Sequence, residues 1–128
     1  MADLDLGPLQ KAAFDALIAQ GVNALDDVPP NYLGFPFVEL GEWSAVADDL
    51  SLSDGFEAVL QLHLWTRAGG QKAVHDLFKL VRQALHNKTL AAAGYGPVIV
   101  FVKSLVTMKE QDGITYHGVV HATFYAYE

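Results

Sequence analysis

The sequence has no cysteine, which excludes disulfides, thiolate metal sites and thiol nucleophiles and fits a reducing compartment. Basic residues are scarce too. Eight Lys and Arg face fifteen Asp and Glu, for a formal net charge of −7. Phosphate backbones are bound by clustered Lys and Arg, so neither direct nucleic-acid recognition nor electrostatic adhesion to an anionic membrane is expected. No run of roughly eighteen apolar residues is present to span a bilayer. Met1-Ala2-Asp3-Leu4-Asp5 carries acids where a signal peptide needs a basic segment, which points to synthesis in a cytoplasm. Charge of either sign is thin at 18%, while hydrophobic residues reach 52%, against averages of roughly 25% and 45–50%. The 128 residues suit a single domain, 1–128, able to bury roughly two-thirds of the surface its unfolded chain exposes. An apolar-leaning, charge-poor domain of that size has more greasy surface than one core hides. That points to association.

Patterning supplies the elements. Pro8 suits a first helical turn, and Leu9, Ala13, Phe14, Leu17 and Ile18 recur at helical spacing, so a helix is predicted over 9–20 with Gly21 as its stop. Residues 22–36 hold Asp26-Asp27, Pro29-Pro30-Asn31, Gly34 and Pro36 and read as a loop, with a weak strand around 23–26. Residues 37–42 alternate as a strand does. The acidic, turn-rich residues 44–55 read as a mobile loop. Residues 56–67 form the clearest strand, with Phe56, Ala58, Leu60, Leu62 and Leu64 on one face. Glu57, Val59, Gln61, His63, Trp65 and Arg67 lie on the other. A second helix is predicted over 71–86 from Val74, Leu77, Phe78, Val81 and Leu85, and Asn87-Lys88 breaks it. Two strands follow, over 98–109 and 115–127, joined through Asp112-Gly113, a hairpin signal.

The expected fold is therefore α+β, in the order α-β-β-β-α-β-β. Two helices should pack on one face of an antiparallel or mixed sheet of four to five strands. In the first hairpin strand Val98, Val100, Val102, Val106 and Met108 fall on one side and Ile99, Phe101 and Leu105 on the other. The second strand divides Tyr116, Val120 and Phe124 from Val119, Tyr125 and Tyr127. Both faces are apolar, so the one without helices should be covered by another chain. Val59, His63, Trp65, Val119, His121 and Tyr125 share that face and are the candidate subunit-interface residues.

Five histidines are the only candidates for a metal or a base. His117 and His121 have the spacing of a helical zinc motif but lack its Glu, and in a strand they stand roughly 13 Å apart. His63 could approach one of them across the sheet, beside Trp65. His86, near a helix C-terminus, favours the dipole there. Neither a nucleophile elbow nor a phosphate loop is present, and Asp48, Asp49 and Asp54 lack calcium-loop spacing. No catalytic residue, metal or cofactor is expected.

Several segments occur in an order shared with one family. They are Leu25-Asp26-Asp27-Val28-Pro29, then Phe35-Pro36-Phe37-Val38-Glu39-Leu40-Gly41-Glu42, then Leu60-Gln61-Leu62-His63-Leu64-Trp65-Thr66-Arg67. The helix end Val81-Arg82-Gln83-Ala84-Leu85-His86 and the strand opening Asp112-Gly113-Ile114-Thr115-Tyr116-His117-Gly118 complete the set. In these the chain resembles the tail completion, or tail terminator, family of long-tailed bacteriophages and related gene-transfer particles. The resemblance implies a virion protein at the head–tail junction, made in the host cytoplasm, that forms a homo-oligomeric ring, typically hexameric. Such a ring caps the tail tube, ends its polymerisation and joins the head connector or stopper. Asp48, Asp49 and Asp54 are then candidates for contact with the tube protein or the lumen. Another head–tail joining protein (adaptor or stopper) is the alternative, followed by a small histidine-metal enzyme or ligand-binding domain.

Overall fold

The computed structural model describes residues 5–47 and 55–127. Helix α1 spans Gly7–Ala19 with Pro8 in its first turn, and buries Leu9, Ala13 and Leu17 at four-residue spacing. It ends where Gly21, at φ 87°, turns the chain and the Gly21 and Val22 N–H groups donate back to Ile18 and Leu17. Strand β1 (Ala24–Leu25) is brief. Strands β2 (Phe37–Ala47) and β3 (Gly55–Arg67) follow, then helix α2 (Gly70–Leu85), whose buried stripe is Val74, Leu77, Val81, Ala84 and Leu85. Strands β4 (Lys88–Leu90), β5 (Val98–Lys109) and β6 (Thr115–Tyr127) complete the chain.

The strands form one sheet in the order β1-β2-β3-β6-β5-β4. β1 runs parallel to β2 and every other pairing is antiparallel, so the sheet is mixed. It has six strands where four to five were expected. The added one, β4, is three residues long and pairs Lys88–Leu90 with β5, too short to show a period of two. The reading of 44–55 as a loop is also corrected at 44–47 and at Gly55, while 48–54 lie outside the described residues. β2 runs on to Ala47, and Ser44, Ala45, Val46 and Ala47 pair with β3. Ser44, Ala45 and Ala47 carry little strand propensity, and the ladder with β3 holds them extended. No described helix is long and apolar enough to cross a membrane.

The core lies on one side of the sheet. β3 contributes Ala58, Leu60, Leu62 and Leu64, β6 contributes Val120, Ala122, Phe124 and Ala126, and β5 contributes Val98, Val100 and Val102. α2 packs on β3, β5 and β6, while α1 packs on α2 and β1. Burying each of the Val, Leu and Phe side chains among them stabilises the fold by about 1.5–3 kcal/mol. α2 lies close over Gly118, where an added Cβ would stand 3.0 Å from Val74 Cγ1 and 3.3 Å from both Leu64 Cβ and Leu105 Cδ1.

Both long outer strands are interrupted by a bulge. In β2 the register slips between Leu40 and Trp43, and in β5 between Val102 and Ser104. Each extra residue reverses the alternation beyond it. Strict alternation therefore misplaces three β5 side chains. Leu105 pairs opposite Val120 on the helix side, whereas Val106 and Met108 pair opposite Val119 and His117 on the other. His86, the C-terminal cap residue of α2, holds the β5 bulge by accepting the Val102 N–H at Nδ1, 3.0 Å away. Its role is a tether from helix to sheet as much as a partner for the helix dipole.

Gly118→Val should lower the unfolding free energy by about 1–3 kcal/mol through overpacking against α2, measured by urea denaturation. An unchanged midpoint would mean that α2 does not sit this close to β6.

Candidate functional site

Among the described residues no element covers the face opposite the helices. All six candidate interface residues lie there. Val59, His63 and Trp65 come from β3, and Val119, His121 and Tyr125 from β6. Each is half-buried although no described element roofs it, and the rings of His63, Trp65 and His117 lie flat on one another. Trp65 stacks on His117 at 3.9 Å between centroids and 5° between planes. His63 stacks on His117 at 5.0 Å, and Phe101 meets the edge of Tyr125 at 6.0 Å. Trp65 Nε1 donates to Glu39 Oε1 at 3.2 Å, and His121 Nδ1 lies 3.2 Å from Ser104 Oγ. Asp48, Asp49 and Asp54, the candidates for a tube or lumen contact, lie outside the described residues.

The face also holds a polar chain that sequence alone suggested only loosely. His63 Nδ1 and His117 Nε2 are 2.8 Å apart, because the β3–β6 register sets Trp65 opposite His117 and His63 opposite Val119. Glu42 Oε2 lies 3.6 Å from His63 Nε2, and Glu110 Oε1 lies 3.2 Å from His117 Nδ1. Gly41 makes room for this. A Cβ there would stand 2.7 Å from the Gln61 carbonyl oxygen and 2.9 Å from the His63 ring. The 2.8 Å separation accommodates one shared proton, and N–H groups on both facing nitrogens would collide. It is also a hydrogen-bond distance. Two nitrogens each roughly 2.0–2.1 Å from one tetrahedral metal ion would stand farther apart. No group of three His, Cys, Asp or Glu suited to a metal gathers among the described residues.

Burial, followed by the neighbouring His63, pushes the His117 pKa below its ordinary value, against the opposing pull of Glu110 and Glu39. At the hairpin end of the sheet Asp112 behaves oppositely. Its carboxylate accepts the Thr115 hydroxyl at 2.5 Å and the Thr115 and Ile114 N–H groups at 2.8 and 2.9 Å. The Thr115 hydroxyl and then these amides hold its pKa down to about 2. Arg67 joins this turn to β3. Its Nε donates to Thr115 Oγ1 at 3.0 Å, and its guanidinium lies 4.4 Å from the centroid of the Phe35 ring.

The interface set expected from sequence omits His117, which enters there as a candidate for a metal or a base, and omits Val46, Ile99, Val106 and Met108 as well. All four are exposed on this face or its rim. The cross-strand register and the two bulges place them, and neither is visible in a linear pattern.

A histidine whose pKa is lowered by folding binds its proton more readily when unfolded. Stability is then unaffected above the ordinary value of about 6.5 and falls as pH drops through it toward the lower folded value. Urea midpoints measured from pH 8 to pH 5 should decline below about pH 6.5, and His117→Gln should flatten that decline. An identical slope in the variant would contradict the proton-sharing pair.

The profile of the family described as tail completion protein gp17 matches residues 9–126. Tail completion protein gp17 of Bacillus phage SPP1 is 27% identical over 124 residues, covering 91% of this chain and 90% of that protein. Its solved structure superposes with a TM-score of 0.56 at 25% identity, over 91% of this chain and 86% of that one. A chain in the solved virion of a native gene transfer agent particle shares the fold more closely. Its TM-score is 0.83 at 18% identity, covering 99% of this chain and 100% of that one. With nearly its whole length matched, and the same fold found in a virion particle, the chain belongs to the tail completion protein gp17 family, structural proteins of the phage virion tail.

Proposed function

We propose that copies of this chain close into a ring that caps the finished tail tube, ends its polymerisation and presents a surface to the head connector. The observation that carries this reading is the unroofed sheet face, where half-buried Trp65, Tyr125, Val59 and Val119 meet a rim of exposed Val46, Ile99, Val106 and Met108. A lone subunit leaves that apolar rim in water, and a neighbouring subunit removes it at about 25 cal/mol per Å² buried. Val59, His63, Trp65, Val119, His121 and Tyr125 then form subunit contacts. A ring needs a heterologous contact, in which two different surfaces of one chain meet. Termination is steric: the closed ring occupies the tube end where the next tube subunit would add. Asp48, Asp49 and Asp54 are assigned to the tube or lumen side. The tube protein and the connector or stopper are the partners, and the place of action is the head–tail junction.

Tails assembled without this protein, measured by electron microscopy, should be overlong and headless. Tails of normal length that fail to join heads would overturn the terminator reading in favour of an adaptor or stopper.

A further inference from the structure

The outermost strands of the sheet are too short to cover their neighbours. β1 pairs with β2 only at Val38 and Glu39, and β4 pairs with β5 only at Val98, Ile99 and Val100. Beyond the bulges, residues 43–47 of β2 and 104–109 of β5 keep a regular ladder on their inner sides. Among the described residues no strand lies outside either segment. Such edges present unpaired N–H and C=O groups and invite another strand.

We propose that the free β2 edge of one subunit adds to the free β5 edge of the next, so that the ring is one continuous sheet. This inference rests on the ring reading and replaces its face contact with an edge contact: the rim residues Val46, Val106 and Met108 enter the joint, while Val59, His63, Trp65, Val119, His121 and Tyr125, on the inner strands β3 and β6, face a wall of the ring instead of a sister subunit. Four observations support it. The direction fits: β2, β3, β6 and β5 alternate antiparallel, so a copy set alongside in the same orientation brings its β2 antiparallel to this β5 and keeps all helices on one side. The side chains fit: Val46, Val106 and Met108 are 62%, 56% and 40% exposed. All three sit on these two edges and point to the helix-free face. Cross-strand apolar pairs of that kind contribute when Cβ atoms come within about 4.5–5.5 Å. The charges fit: exposed Lys103 and Lys109 flank the β5 edge, and exposed Glu42 begins the β2 edge. The offset fits as well. The free part of β2 lies toward the Ala47–Phe56 end of the sheet and the free part of β5 toward the Lys109–Tyr116 end. Each neighbour is thereby displaced along the strands, the stagger that tilts strands in a closed barrel. Two unlike edges meeting head to tail give a ring where the rotation closes and an open filament where it does not, but not a two-fold dimer.

The absence of cysteine makes paired thiols a clean report of this contact. Val46→Cys is combined in turn with Ser104→Cys, Val106→Cys and Met108→Cys, three positions facing the same side of β5. Each full-length variant is oxidised mildly while assembly is followed by negative-stain electron microscopy. The positions are exposed, and circular dichroism checks folding. At least one double variant should give a ladder of covalent multimers ending at a closed product, and the single variants should stay monomeric on a non-reducing gel. Rings without cross-links in any pair would overturn the edge contact and leave the ring reading standing. Single variants that cross-link to dimers would replace it with a two-fold contact. Neither rings nor cross-links would remove both.

Discussion

Two helices of 13 and 16 residues rise only about 20–24 Å each, enough to shield one face of this six-stranded sheet. The rest of the structure depends on that imbalance. Ala58, Leu60, Leu62 and Leu64 of β3 and Val120, Ala122, Phe124 and Ala126 of β6 are buried on the helix side, where α2 packs on both strands, and this burial holds the chain together. The odd-numbered residues of the same strands receive no such cover. They satisfy their polar atoms and shade their carbon by lying on each other, as Trp65, His117 and His63 do. A face built in this way tolerates water in a free subunit and still offers aromatic area to a neighbour, the residue type that interface centres favour.

The same constraint explains why polar groups on that face are paired within the chain. Glu39 accepts from Trp65, Ser104 meets His121, and the two histidines face one another. A group that enters an interface with its partner already in place loses little on leaving water, whereas an unpaired one costs about 1–3 kcal/mol. The proton held between His63 and His117 links this arrangement to pH. The Asp112 carboxylate, its pKa held down to about 2, fixes the hairpin end of the sheet through Thr115 and Ile114.

Much of this was legible in sequence because period-two alternation survives wherever a strand is regular. The bounds of β5 and β6 and the shared face of Val59, His63, Trp65, Val119, His121 and Tyr125 follow from it directly. It fails at the bulges. One extra residue at Lys103 moves Val106 and Met108 off the core face, and no composition signal marks the site, because the cause is the tether from His86 across to Val102. It fails also where pairing outweighs propensity, as in residues 44–47 and in β4. The contact of His63 with His117 depends on a register set by thirteen consecutive pairings between β3 and β6, which no local pattern reports. Asp112 was read as a hairpin signal. Its three hydrogen bonds give that signal its mechanism.

The central claim is that sister subunits complete a surface this chain leaves open. Light scattering coupled to size-exclusion chromatography, over a wide concentration range and with and without purified tail tube, tests it most directly. The account predicts a species at a fixed multiple of the subunit mass, greater than two. A strict monomer at every concentration, tube present or absent, would contradict it.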